Sequence, residues 1–117
     1  MPPSQPQLTF NLVQGSVSFG FSASAARDLR QEIATLMKSL KANAVKTGGS
    51  KPKPQAQMEY RYTGDIFLEV FCNPNIYSSP FAAKVLITLR DDHIRLTVEA
   101  ELTRIIEDIN QYLEQVG

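Results

Sequence analysis

Residues 84–115 of the chain, KVLITLRDDHIRLTVEAELTRIIEDINQYLEQ, contain its clearest structural signal. Apolar and polar side chains alternate on both sides of Asp91-Asp92, and this period of two is typical of paired strands joined by a turn. From Leu102 onward the apolar spacing changes to three and four, which predicts an amphipathic helix. Its apolar stripe consists of Leu102, Ile105, Ile106, Ile109, Leu113 and Val116. The stretch therefore predicts a hairpin followed directly by a helix.

The beginning of the chain shows the same plan. Apolar residues alternate over residues 8–21 on both sides of Gly15, which predicts a first hairpin. Ser22 or Ser24 can cap a helix predicted over residues 24–41. Its apolar stripe consists of Leu29, Ile33, Leu36 and Leu40. A shift of 77 positions superimposes most apolar residues of the two units. Internal duplication explains this agreement, and so does the periodicity that any two hairpin–helix units share.

Between these units, residues 58–72 predict a second hairpin that turns at Gly64. Residues 43–57 are rich in lysine, glycine and proline, and we expect a flexible loop there within the domain. Residues 1–7, rich in proline and glutamine, are expected to form a disordered tail. At 117 residues the chain has the usual size of one domain, so we expect residues 1–117 to fold as a single unit.

The order ββα-ββ-ββα predicts an α+β fold of three hairpins and two amphipathic helices. Each hairpin and each helix has one apolar side that must be covered. The simplest arrangement is one antiparallel sheet of about six strands with both helices on one face. The opposite face of the sheet would then be open to partners.

Catalytic and metal chemistry are not expected. The chain has one cysteine, Cys72, and one histidine, His93, too few for a disulfide or an ordinary zinc site. His93 lies in a predicted exposed turn, and nucleophile-elbow, zinc-protease, dinucleotide and P-loop patterns are absent from the sequence. Paired carboxylates such as Glu107-Asp108 are expected on solvated surfaces. We therefore predict no enzyme, no catalytic residue, no cofactor and no metal site.

Charge and hydropathy limit the partners. Twelve lysines and arginines balance twelve aspartates and glutamates, so no overall field attracts nucleic acid or an anionic membrane. No apolar run approaches the roughly 18 residues of a membrane span. The first residues lack the basic start and apolar run of a signal peptide. We expect a cytoplasmic protein that does not contact membranes.

Two aromatic residues are the leading candidates for partner binding. Phe67 and Phe71 alternate with the apolar residues of their strand, so they should lie on the open face of the sheet. Arg61, Leu86 and Arg90 are expected on the same face. Aromatic and arginine side chains are enriched in protein interfaces. This pattern predicts a non-enzymatic interaction or assembly domain, with homodimerisation through the open face as its simplest form.

Three alternatives remain at this point. The basic loop could bind RNA together with the sheet aromatics; its lysines are Lys46, Lys51 and Lys53. The chain could instead carry a small ligand in a cavity. Phe81 and residues 73–80 could also fold over Phe67 and Phe71 and bury them.

Residues 84–115 resemble the ending of short uncharacterised proteins found in cyanobacteria. The plan of strands followed by a terminal helix is also similar to the COMM interaction module of eukaryotes, which pairs with another copy. Tyr60 or Tyr62 stands where that module favours tryptophan. The resemblance implies an interaction role and assigns no functional residues.

Overall fold

The computed structural model describes residues 6–44 and 54–116 of the chain. Within these ranges it has six strands, two α-helices and one 3-10 turn, which confirms the α+β class. The strands are β1 (Gln7–Leu12), β2 (Gly15–Gly20), β3 (Met58–Thr63), β4 (Phe67–Cys72), β5 (Lys84–Arg90) and β6 (Arg95–Glu101). The helices are α1 (Ala23–Ala44), which follows β2, and α2 (Leu102–Val116), which follows β6. The 3-10 turn, Pro74–Ile76, lies between β4 and β5.

The strands form two antiparallel sheets, so the predicted single sheet of six strands is wrong. β3, β4, β5 and β6 pair in that order, and β1 and β2 form a separate two-stranded sheet. A physical reason lies at the edge of β1, where the backbone N–H of Asn11 donates to Oδ2 of Asp108 at 2.7 Å. A donor that is paired with a carboxylate is not available to a strand ladder. α2, which contains Asp108, therefore closes the edge where another strand would have to pair.

The core joins the first hairpin, the two helices and alternate residues of β3–β6. A continuous chain of three edge-to-face ring pairs runs from the hairpin to Tyr62 of the larger sheet. Phe10–Phe19, Phe19–Phe21 and Phe21–Tyr62 have ring centroids 5.2, 5.6 and 5.0 Å apart. Such pairs contribute about 0.5–1.5 kcal/mol each beyond the area that they bury. Side-chain packing thus holds the hairpin to the sheet without backbone pairing.

Ser22 caps α1, and it is one of the two serines predicted for this role. Its hydroxyl oxygen accepts a hydrogen bond from the backbone N–H of Ala25 at 3.0 Å. This bond satisfies one of the amides that have no partner inside the helix. The helix continues to Ala44, beyond the predicted end at residue 41.

The two sides of residues 45–53 are both tied to the 3-10 turn. The side-chain amide of Asn43 donates to the carbonyl of Pro74 at 2.8 Å. The backbone N–H of Gln55 donates to Oδ1 of Asn75 at 2.7 Å, and the Asn75 amide donates to the Gln55 carbonyl at 2.9 Å. The chain therefore leaves this anchor at Asn43 and returns to it at Gln55.

Two predicted segments lie partly outside the described residues. Of the predicted tail over residues 1–7, the last part is ordered: β1 begins at Gln7, and the Pro6 carbonyl accepts a hydrogen bond from the Phe21 N–H at 2.9 Å. The predicted loop over residues 43–57 falls outside the described part at residues 45–53. The basic-loop residues in that segment are Lys46, Lys51 and Lys53.

The buried side of α2 is rotated from the predicted stripe. Asp108 and Tyr112 are buried, at 6% and 4% exposure, whereas Ile106 is only half-buried. The expectation that Asp108 lies on a solvated surface is therefore wrong. Asp108 follows Ile105 by three residues and Tyr112 follows Ile109 by three, so helical periodicity puts all four on one side.

Candidate functional site

One surface of the four-stranded sheet combines the candidate residues. In β4, Leu68, Val70 and Cys72 are buried in the core, and Phe67 and Phe71 are half-buried on the opposite side. We call this opposite side the outer face. Its side chains are Glu59, Arg61, Thr63, Phe67, Glu69, Phe71, Lys84, Leu86, Thr88, Arg90, Arg95, Thr97, Glu99 and Glu101.

The strand register arranges most of these side chains in three rows that cross the sheet. The basic row is Thr63, Phe67, Arg90 and Arg95; the central row is Arg61, Glu69, Thr88 and Thr97; and the acidic row is Glu59, Phe71, Leu86 and Glu99. Lys84 and Glu101 form a further pair beyond the acidic row. Each row takes one residue from each strand, because directly opposed residues of antiparallel neighbours lie side by side.

Charge is distributed unequally between the two halves of the outer face. The basic and central rows together contain three arginines and one glutamate, a balance of +2. The acidic row and the pair beyond it contain three glutamates and one lysine, a balance of −2. The face as a whole is neutral, with a positive end and a negative end.

Two ion pairs order long charged side chains of the outer face. The Arg61 Nε lies 2.7 Å from Oε2 of Glu69, and this bond raises the pKa of Arg61 above its ordinary value. The Lys84 Nζ lies 3.7 Å from Oε1 of Glu99. These pairs are solvent-exposed, so water and salt screen them and they add little to stability. Their effect is to hold charged groups in defined positions on the face.

The apolar part of the outer face consists of Phe67, Phe71 and Leu86. The guanidinium carbon of Arg90 lies 4.4 Å above the centroid of the Phe67 ring, so the arginine covers part of that ring. Phe71 and Leu86 are directly opposed in the acidic row, and Leu86 is 43% exposed. Glu69 of the central row lies between Phe67 and Phe71 on β4, so the face has two small apolar areas with a polar row between them.

The structure places all five candidate partner-binding residues on this face: Phe67, Phe71, Arg61, Leu86 and Arg90. Phe81 does not cover the aromatic pair, because its side chain is 87% exposed. Sequence reasoning missed the special position of Thr88, which is on the outer face yet only 7% exposed. Its place in the central row, on an inner strand between Glu69 and Thr97, explains the shielding.

A second feature is the groove between α1 and α2, with a volume of about 390 Å³. Apolar side chains line it, namely Ile33, Ala34, Met37, Ile106 and Ile109. Arg30, Lys38 and Lys41 also line it, on the side of α1. Together with Arg27, these cations form a stripe along the helix, because they recur at spacings of three, eight and three residues. The groove is open to solvent and lined mainly by apolar atoms.

His93 and Cys72, the single histidine and the single cysteine of the chain, lie in different environments. His93 lies in the exposed turn between β5 and β6, where its backbone N–H donates to Oδ1 of Asp91 at 2.7 Å. Cys72 is buried in the core, and burial raises the pKa of its thiol to about 11. A thiol of this kind is a poor nucleophile near neutral pH. Among the described residues, no three His, Cys, Asp or Glu side chains are grouped as metal ligands.

Membrane insertion through a helix has no support in the described ranges: neither α1 nor α2 is long and apolar enough to span a bilayer. Comparison of the chain with protein-family models, with curated proteins and with solved structures finds no match. The function is therefore inferred from the outer face of this chain.

Proposed function

We propose that the protein is a non-enzymatic assembly domain that self-associates through the outer face of its four-stranded sheet. The main supporting observation is that one face carries the apolar side chains Phe67, Phe71 and Leu86, which together we call the apolar patch, among four acidic and four basic residues. Removing aromatic and aliphatic area from water drives association, and charges that sum to zero add no net repulsion between two copies.

The same charged residues argue against nucleic acid as the partner of this face. Glu59, Glu69, Glu99 and Glu101 are distributed across the face that a nucleic acid would have to cover. Phosphate groups would be repelled by these carboxylates, whereas nucleic-acid surfaces are usually strongly basic. A protein surface with both kinds of charge is the better complement.

Sedimentation of the purified protein over a concentration series tests the proposal. We expect a dimer for the wild type and a monomer for Phe67→Ser, Phe71→Ser, because the double substitution removes both rings of the patch. Phe81→Ser is the matched control: it removes a phenylalanine that is 87% exposed and lies outside the outer face, and this variant should remain dimeric.

Leu86→Glu provides a second test that leaves both rings in place. Leu86 is 43% exposed, so the substitution places a charge in the patch with little effect on the core. Circular dichroism spectra equal to that of the wild type would show that each variant is folded. A wild type that stays monomeric at every concentration up to about 300 µM would contradict the proposal, since even weak specific association is populated there.

RNA binding remains the main alternative, and the basic stripe of α1 is the observation that favours it. Arg27, Arg30, Lys38 and Lys41 form a positive surface along α1. Binding of single-stranded RNA at about 50 mM salt, weakened by Lys38→Glu, Lys41→Glu, would favour this alternative over assembly. A small-ligand carrier would have to use the open groove between α1 and α2.

A further inference from the structure

The two halves of the outer face differ in charge, and this difference constrains how two copies can meet. Arg90 and Arg95 are directly opposed at one end of the face, and both are exposed. Glu59 and Glu99 lie in the acidic row, four residues along their strands from the basic row. Side chains four residues apart on a strand are separated by about 13 Å. The positive and negative ends of the face are therefore separated by the width of the central row.

Two identical faces can stack about a two-fold axis in two main ways. An axis parallel to the strands would put each row over the same row of the second copy. The order of the strands would be reversed between the copies, so Glu59 would face Glu99, and the basic row with its two arginines would lie over another basic row. Ends of like charge would therefore meet. An axis across the strands, above the central row, exchanges the two ends. The basic row of each copy then lies over the acidic row of the other.

Resting on the proposed function, we propose that the partner of the outer face is a second copy of this chain, stacked with its strands in the reverse direction. Each strand then lies over its own equivalent, so Arg95 of one copy faces Glu99 of the other, the Phe67 ring faces Phe71, and Arg90 faces Leu86. The central row, which contains one arginine and one glutamate, lies over its own equivalent, so the favourable charge pairing comes from the two ends of the face. The contact is isologous, because each pairing occurs twice about the axis.

The dimensions of the face allow a small but specific interface. Four strands at about 4.8 Å spacing and six residues at about 3.3 Å rise cover an area of about 19 by 20 Å. The two footprints together amount to about 760 Å² of flat area, which is below the roughly 1,200–2,000 Å² of stable specific interfaces and in the range of weak, transient ones. We therefore expect a dimer that is weak enough for its dissociation to be measured by sedimentation and sensitive to salt, because exposed charge pairs are screened.

Charge reversal tests the orientation. Arg90→Glu, Arg95→Glu makes both ends of the face negative, and Glu59→Lys, Glu99→Lys makes both ends positive. Each variant alone should have a dimer dissociation constant at least about 100-fold weaker than that of the wild type, because like charges now meet. An equimolar mixture of the two variants should form a heterodimer within about tenfold of the wild-type affinity.

Arg27→Glu, Arg30→Glu is the matched control, since it changes the net charge by the same amount on α1. This control should dimerise as the wild type does. If both reversed variants keep wild-type affinity while Phe67→Ser, Phe71→Ser abolishes the dimer, self-association stands and the reversed orientation is overturned. Failure of the mixture to restore the heterodimer would also overturn it. A monomeric wild type would instead refute the proposed function itself.

Discussion

At the scale of single residues, Asp108 is the side chain that joins the most distant parts of the chain. Its Oδ2 accepts the backbone N–H of Asn11 at 2.7 Å, and its Oδ1 accepts the Asn11 side-chain amide at 2.8 Å. Tyr112, one turn further along α2, donates its hydroxyl to the carbonyl of Phe21. Hydrogen bonds to a charged acceptor are stronger than neutral ones. These contacts fasten the first hairpin to the last helix.

Asp108→Ala should therefore lower the free energy of unfolding by about 1–3 kcal/mol, since it leaves the donors of Asn11 without their partner. Urea denaturation measures this change. Glu107→Ala is the control, because Glu107 is the exposed neighbour on the same helix. Equal losses in the two variants would mean that the bidentate contact contributes nothing specific.

At the scale of elements, local pattern predicts the strands and helices well because it depends on neighbours in the sequence. The turn at Asp91, the cap at Ser22 and the alternation of β5 all follow from such short-range chemistry. The apparent repeat of the hairpin–helix unit shows where local pattern stops predicting structure. A shift of 77 positions along the sequence aligns Val17 with Ile94. Val17 lies in β2 and pairs with Phe10 of β1, whereas Ile94 is 68% exposed in a turn. At this pair of positions the shift therefore aligns residues with different structural environments.

Substitution of two adjacent isoleucines tests which side of α2 is buried. Ile105 is fully buried and Ile106 is half-buried, although they are adjacent and chemically identical. Ile105→Ala should cost about 2–5 kcal/mol of stability, as large-to-small core substitutions do, and Ile106→Ala should cost less than half as much. Thermal or urea unfolding of the two variants measures the difference. A larger loss for Ile106→Ala would place the helix in the other rotation.

At the scale of the whole molecule, the sequence predicts which side of each strand is apolar. It does not predict which strands pair with each other. Alternation in β1 is the same whether the strand joins a large sheet or packs against it. In the folded chain, the Asn11 N–H at the edge of β1 is bonded to Asp108, which is 97 residues away in the sequence. For the outer face, alternation was enough to place Phe67 and Phe71 together. Prediction of the basic, central and acidic rows would have needed the register between strands, and no local pattern contains that register.

The reactivity of Cys72 should report on the unfolding of the whole core. Burial raises the pKa of this thiol to about 11, so its thiolate fraction at pH 7 is about 100-fold below that of a free cysteine. We expect alkylation in native buffer to be at least that much slower than in strong urea. Following the labelling by mass spectrometry measures both rates. Rapid labelling of the folded protein would show that β4 opens locally.

The anchoring of Asn43 and Gln55 to the same 3-10 turn has a practical consequence. Because both flanks are held at one point, the stretch between them spans a fixed gap, and the entropy of closing it changes slowly with its length. An epitope or a fluorescent reporter can be spliced in at residues 45–53 without separating α1 from β3. The molecule therefore offers a site for labels at which the anchor on the 3-10 turn stays in place.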